Sequence, residues 1–247
     1  MYNYKITVQY DGARYKGWQK QQNTLWTIQG KLEAVLAELI GNEVEVHGSG
    51  RTDAGVHAIG QVANFKCEQM LEPEAVKAYM NHYLPEDIGI LLVEEVPLRF
   101  HSRLNAIEKQ YEYHIWNVAK PDVFRRKYTA YVPEKLDIQK MQEAAELLVG
   151  EHDFRSFCSN QKMKKSTVRQ LYEIQIQSKQ EEIILTFRGN GFLYNMVRIM
   201  CGTLIEVGLG KRIPEEMRAI LMARDRKMAG RMAQPEGLFL KKVVYPK

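Results

Sequence analysis

Residues Val44–Phe65 read VEVHGSGRTDAGVHAIGQVANF, and the rest of the chain is organised around this stretch. A short apolar run at Val44 and Val46 breaks into a loop holding Gly48, Gly50 and Gly55 within eight residues, and a second extended run follows from Val56 to Phe65. Glycines packed so closely mark a backbone that needs unusual dihedrals or must be approached by something else. Arg51 and Asp53 sit inside that loop, two residues apart. A cation and a carboxylate on a glycine-framed turn between strands form a candidate site on a rigid scaffold. The plainer reading is that Asp53 only hydrogen-bonds its own backbone in an Asx-turn.

A second charge stands where the pattern disfavours one. GFLYNMVRIMCGTLIEVGLG, Gly191 to Gly210, reads as a helix apolar nearly all the way round, interrupted by Asn195, Arg198, Thr203 and Glu206. Such a helix is expected to be buried. A buried guanidinium cannot shed its charge, so Arg198 needs an anionic partner. Glu206 is eight residues away, beyond i,i+4 reach. Asp53 is one partner; the alternatives are that Arg198 snorkels to solvent or pairs with an acid such as Glu173.

Working outward from the loop, Tyr4, Ile6, Val8 and Tyr10 alternate as a strand, and Ile28, Leu32, Val35, Leu36 and Leu39 form a helical stripe stopped by Gly41. After the two runs around the loop come a helix from Pro73 and an apolar strand from Ile88 to Val96. The order is β-α-β-β-α-β, the split βαβ or ferredoxin-like arrangement. The second half repeats that order without repeating the sequence. A strand holds Tyr111, Tyr113 and Ile115, and Asp137 caps a helix ended by Gly150. Strands follow around Tyr172–Ile176 and Ile183–Phe187, then the Arg198 helix, a helix from Pro214 and a last strand through Leu238, Leu240 and Val243. The expected fold is α+β: two similar ferredoxin-like halves, residues 1–105 and 106–247, with antiparallel sheets side by side and a central cleft. Asp53 comes from the first half and Arg198 from the second.

The net charge of +5 is unevenly spread. Residues 1–105 carry 10 Lys+Arg against 13 Asp+Glu, and residues 106–247 carry 25 against 17, so the balances are −3 and +8. A basic second half suits a polyanionic partner. Within DGARYKGWQKQQNT, Arg14, Lys16 and Lys20 alternate with Tyr15 and Trp18, a mixture that can meet phosphates and stack on bases. Arg155, Lys162, Lys164, Lys165 and Arg169 form a stretch with no acid, and Arg125, Arg126 and Lys127 form another run. Each of these is also what an ordinary solvated face looks like.

Three cysteines, Cys67, Cys158 and Cys201, are odd in number and outside CxxC spacing, which favours reduced thiols and gives no zinc pattern. No signal-peptide pattern opens the sequence, and no apolar run approaches the roughly 20 residues of a bilayer span. The expected location is the cytoplasm, with no membrane partner.

These residues resemble the tRNA pseudouridine synthase A family. GSGRTDAGVHAIGQVANF matches its signature, and YDGARYKGWQKQ, LPEDI at Leu84–Ile88, FHSRLNA at Phe100–Ala106 and KQYEYHI at Lys109–Ile115 follow in order. So do GEHDFRSF at Gly150–Phe157, GFLYNMVRIMCG at Gly191–Gly202 and PEGLFLKKVVY at Pro235–Tyr245, so the likeness spans essentially the whole chain. It departs at Gln234, where a small residue or proline is more usual. The resemblance implies isomerisation of uridine to pseudouridine in the anticodon stem-loop of tRNA, by a homodimer and without a cofactor. It places Asp53 on the catalytic aspartate and Arg51 on an arginine that helps flip the nucleotide. Tyr111 falls on the tyrosine that stacks on uracil, and Arg198 on the arginine that pairs with the carboxylate.

That chemistry asks for such residues. A carboxylate acting as nucleophile or base must be ionised, and a paired arginine lowers its pKa and fixes its direction. Attack on C6, attack on C1′ and removal of a sugar proton are all open to Asp53. The Tyr111 hydroxyl, with a reference pKa of about 10, is a poor base, so stacking suits it better. The target must first leave the helix stack, at a cost of a few kcal/mol repaid inside the pocket. Three other readings compete: a catalytically silent RNA-binding protein, the same chemistry on a different RNA, and a hydrolase built on Ser49, His152 and Asp153. The last lacks the GxSxG elbow.

Overall fold

The computed structural model describes residues 1–246. In chain order its elements are β1 (Tyr2–Tyr10), α1 (Ile28–Ile40), β2 (Val46–Gly48), β3 (His57–Cys67), α2 (Pro73–Tyr83) and β4 (Ile88–Val96). Next are β5 (Glu108–Trp116), β6 (Ala130–Tyr131), α3 (Ile138–Glu146), β7 (Gly150–Asp153), β8 (Val168–Lys179), β9 (Glu182–Gly189), α4 (Met196–Gly208), α5 (Glu216–Ala223) and β10 (Leu238–Val244). The expected α+β class is what these elements make. They group into two compact units, one of Met1–Ile107 with the chain from Phe239 onward, the other of Glu108–Leu238.

In the first unit the alternation of β1 sends Tyr4, Ile6, Val8 and Tyr10 into the core, where Leu32 and Leu36 of α1, Phe65 of β3 and Met80 of α2 are also buried. Local chemistry sets the helix ends. Thr27 Oγ1 accepts from Gly30 N at the start of α1, and Gly41 closes it at φ +78°. Glu72 accepts from Glu74 N and Ala75 N to start α2, with Pro73 in its first turn. β1 lies between β4 and β3, antiparallel to both. β3 also pairs with β2 through Ala63–Phe65 and, at its beginning, in parallel with β10.

That last pairing departs from the expected layout. The C-terminal strand, read as the end of the second half, groups with the first unit because Phe239 and Leu240 register on His57 and Ala58. Two further bonds tie the same strand region to this unit: Ile107 N to Val244 O, 2.9 Å, and Tyr245 OH to Ser102 O, 2.7 Å. Backbone pairing, not chain order, decides where the strand belongs.

The second unit arranges its strands β5-β9-β8-β7, all antiparallel, while the two-residue β6 runs parallel to β5. The pairings are therefore not purely antiparallel in either unit. Tyr113, Ile115, Leu185 and Phe187 are buried, as are Met141 of α3 and Ile199, Met200 and Leu204 of α4. Asp137 caps α3 as expected, accepting from Lys140 N at 3.1 Å. α4 begins at Met196, later than Gly191, because Leu193 O closes a turn on Met196 N and Asn195 takes a left-handed φ of +61°. Its face admits the chain that follows α5: a methyl on Gly202 would lie 1.7 Å from Arg231 O.

Candidate active site

The loop between β2 and β3 is clamped from two sides. Ser49 N donates to Val62 O at 2.7 Å, extending the strand pairing one residue into the loop. Beneath it lies Gln61 of β3, fully buried. Its Oε1 accepts from Ser49 Oγ at 2.6 Å and from Val62 N at 3.2 Å. Its Nε2 donates to Gly50 O at 2.9 Å and reaches Tyr10 OH at 3.5 Å. Tyr10 OH in turn is 2.9 Å from Thr52 Oγ1. Burial pushes the Tyr10 phenol up to about 12, so it keeps its proton and remains a donor.

The other side of the clamp is the segment after β1. Trp18 N donates to Thr52 O at 3.0 Å and Gly55 N to Tyr15 O at 3.3 Å, while Val56 N closes a turn on Asp53 O at 3.2 Å. Gly17, at φ +95°, leaves no room for a side chain: a methyl there would sit 2.7 Å from Thr52 O. Gly48 is held bare by the Trp18 ring, 2.5 Å from where its methyl would be. Asp53 is half-buried and Arg51 is exposed, on a backbone fixed at Ser49, Gly50, Thr52 and Gly55. The glycine and Arg/Asp pattern reads as a rigid platform rather than as a simple turn.

In the second unit, Arg198 lies on the first turn of α4 with 8% of its surface exposed. Its Nε donates to Ala233 O at 2.9 Å, and its own carbonyl accepts from Ala233 N at 3.0 Å, so the residue is fixed at both ends. It does not snorkel. Of the acids weighed as partners, Glu173 receives Arg188 at 3.1 Å, and Glu206 receives Arg212 at 2.6 Å. Tyr111 of β5 is buried and meets Phe192 edge-on, ring centres 5.1 Å apart. Beside Arg198 on α4, burial raises the Cys201 thiol well above its ordinary range.

The basic residues separate into two groups. Arg14 is engaged by Asp87, with Nε and NH2 each 2.7 Å from Oδ2, and lies 5.5 Å from the Trp26 ring centre. Lys20 pairs with Glu33 at 2.9 Å. Lys16, Lys162, Lys164 and Lys165 are exposed, and Arg155 is half-buried. Arg169 spends NH1 on the carbonyls of Ser166 and Val168, and burial lowers its pKa. Arg14 and Lys20 thus each have a carboxylate partner.

The hydrolase reading does not survive. Ser49 is fully buried and hydrogen-bonds Gln61, not a histidine. His152 Nε2 contacts Val149 O, and Asp153 receives Thr167 Oγ1 and the Arg224 guanidinium. Sequence reasoning also passed over Gln61, Tyr10 and Thr52. The available signal was a glutamine inside an apolar strand, which burial forces to find partners.

The comparisons with known proteins agree on one class. A family model described as tRNA pseudouridine synthase matches residues 6–105 and 144–246. The tRNA pseudouridine synthase A of Bacillus sp. (strain KSM-64) is 51% identical over 245 residues, covering 99% of this chain and all of the relative. The tRNA pseudouridine synthase A 2 of Bacillus cereus (strain ZK / E33L) is 49% identical over the same span, and that of Clostridium tetani 46% over 98% of each chain. A chain of a Cbf5-Nop10-Gar1 complex aligns with 86% of this chain and 44% of its own length, at 14% identity and a TM-score of 0.38, too slight a likeness to bear on the fold. Kinship of this extent makes the protein an isomerase. The chain belongs to the tRNA pseudouridine synthase family.

Proposed function

We propose that the chain converts uridine to pseudouridine in the anticodon stem-loop of tRNA, with Asp53 as the carboxylate that works on the nucleotide and Arg198 as its paired cation. The reaction breaks the N1–C1′ bond, turns the uracil while it stays bound, and joins C5 to C1′. C5 loses a proton and N1 gains one, so no electrons leave the substrate. The carrying observation is a half-buried carboxylate on a doubly clamped loop, in a chain that shares about half its residues with tRNA pseudouridine synthases along its full length.

Arg198 supports the reading because a guanidinium with 8% exposure stays charged and needs an anion. Pairing holds Asp53 ionised and aimed. Arg51, exposed on the same loop, holds the nucleotide once it has left the stack, and Tyr111 stacks on the turned uracil. In this reading each unit is a ferredoxin-like half. The exposed lysines of 162–165 track the RNA backbone. The resemblance to this family further supports a cytoplasmic homodimer as the working form; no helix among the described residues is long and apolar enough to cross a membrane.

The test is an unmodified tRNA transcript incubated with the wild type and with Asp53→Asn, followed by mapping of pseudouridine. The wild type is expected to modify the anticodon stem-loop. Asp53→Asn should bind the tRNA within about threefold of wild type and form no product, as for loss of a group acting only in the transition state. Equal product from both proteins would remove Asp53 from the mechanism. Wild-type product confined to another part of the tRNA would overturn the substrate assignment.

A further inference from the structure

We infer that Gln61 is a positioning residue for the reaction, setting the backbone from which Asp53 and Arg51 project. This rests on the proposed role of Asp53 and adds the means by which the carboxylate is aimed. The hydrogen bonds concerned lie within the first unit. A primary amide has two donors and one oxygen that accepts twice, and Gln61 commits all four. The oxygen takes Ser49 Oγ and Val62 N, and the nitrogen goes to Gly50 O and Tyr10 OH. The orientation of the amide follows from those partners, since Gly50 O can only accept and Val62 N can only donate.

The pattern along the loop gives these bonds their purpose. Residues 49, 50 and 52 are tied downward into the protein, two directly by Gln61 and the third through Tyr10. Residues 51 and 53 carry the charges; Arg51 is exposed and Asp53 half-buried, whereas Ser49 and Thr52 are buried. Gln61 donates to the Tyr10 oxygen, the Tyr10 and Thr52 hydroxyls hydrogen-bond each other, and burial keeps the phenol protonated. A chain of hydrogen bonds thus runs from β3 to the peptide preceding Asp53. Buried networks with every member satisfied fix one geometry. A carboxylate displaced by about 1 Å can lose about 100-fold in rate.

Two variants test this, with turnover, tRNA affinity and melting temperature measured on each. Gln61→Met keeps the volume but strands Gly50 O and Ser49 Oγ. Tyr10→Phe removes the link to Thr52 and the weakest of the Gln61 bonds while leaving those to Ser49, Val62 and Gly50, and it guards against Gln61→Met failing to fold. Gln61→Met is expected to lower kcat about 10- to 100-fold, and Tyr10→Phe less, about threefold to tenfold. For both, KM and the Kd for tRNA should stay within about threefold, since nothing that touches RNA is removed. A merely structural role would lower the melting temperature yet leave kcat intact below it; that result in either folded variant overturns the inference. Asp53→Asn, run alongside, separates the two claims. If it is active, the proposed role of Asp53 falls; if it is inactive while Gln61→Met and Tyr10→Phe turn over normally, only the positioning role falls.

Discussion

Replacing Gly17 by alanine should damage the loop that carries Arg51 and Asp53 from a residue that carries no functional group. Two costs add. Gly17 sits at φ +95°, where an L side chain is strained by about 1–2 kcal/mol. The new methyl would also lie 2.7 Å from Thr52 O, 3.2 Å from the carbonyl carbon of Asp53 and 3.3 Å from Ala54 N, all backbone atoms that cannot swing aside. Overpacking of this kind costs about 1–3 kcal/mol, giving about 2–5 kcal/mol in all. Gly41 supplies the control: it is also left-handed, at φ +78°, but a methyl there meets nothing within 4 Å, so only the strain of about 1–2 kcal/mol remains. Typical stabilities of about 5–15 kcal/mol exceed the cost at Gly41 and all but the upper end of the cost at Gly17. The clash can be relieved only by moving Thr52 and Asp53, so turnover in Gly17→Ala should fall about tenfold or more, while Gly41→Ala turns over normally. Urea unfolding and single-turnover pseudouridine formation read the two quantities. Equal destabilisation of both variants, or normal turnover in Gly17→Ala, would refute the reasoning.

Two further outcomes are expected. Removing Lys162, Lys164 and Lys165 together by alanine substitution should weaken tRNA binding and reduce the slope of log K against log salt by about 2 to 3, measured by filter binding over a salt series; an unchanged slope would show that the run is only a wet surface. His114 is packed among acids: burial alone lowers its pKa, but hydrogen bonds and charge from Glu112 and Glu182 outweigh that and leave it raised above 6.5. A raised folded pKa means its stabilisation is complete below 6.5 and is lost as pH rises through the folded value. The melting temperature of wild type should therefore decline across that window, whereas His114→Gln should decline less.

The parts of the fold governed by short-range chemistry were legible in the sequence. Gly41 closes α1, Asp137 opens α3, and the alternation from Tyr4 to Tyr10 is β1. The element that escaped reading was β10's place, because a strand's partner depends on pairing with residues some 180 positions away, Phe239 with His57, and not on its own pattern. The two-residue β6 and four-residue β7 are too short to show a period. The start of α4 was misjudged because Asn195 adopts a left-handed conformation inside an apolar run that looked continuous. The charges at 51, 53 and 198 were visible as exceptions to their surroundings. The supports were not: Gln61 looks like any strand glutamine until its four partners are known, and the bareness of Gly17 is explained only by Thr52 O, 35 residues on. Nor did the sequence show the carboxylate partners of Arg14 and Lys20, which are Asp87 and Glu33.

Arg198→Met is the most direct measurement of the central claim. Methionine fills most of the space left by the guanidinium and removes its charge, so an Asp53 carboxylate that depends on it would lose its aim and its counter-ion. Pseudouridine formation in tRNA by this variant is predicted to fall about 100-fold or more, with tRNA affinity and melting temperature changing far less. An Arg198→Met protein that isomerises uridine at the wild-type rate would contradict the pairing and the mechanism drawn from it.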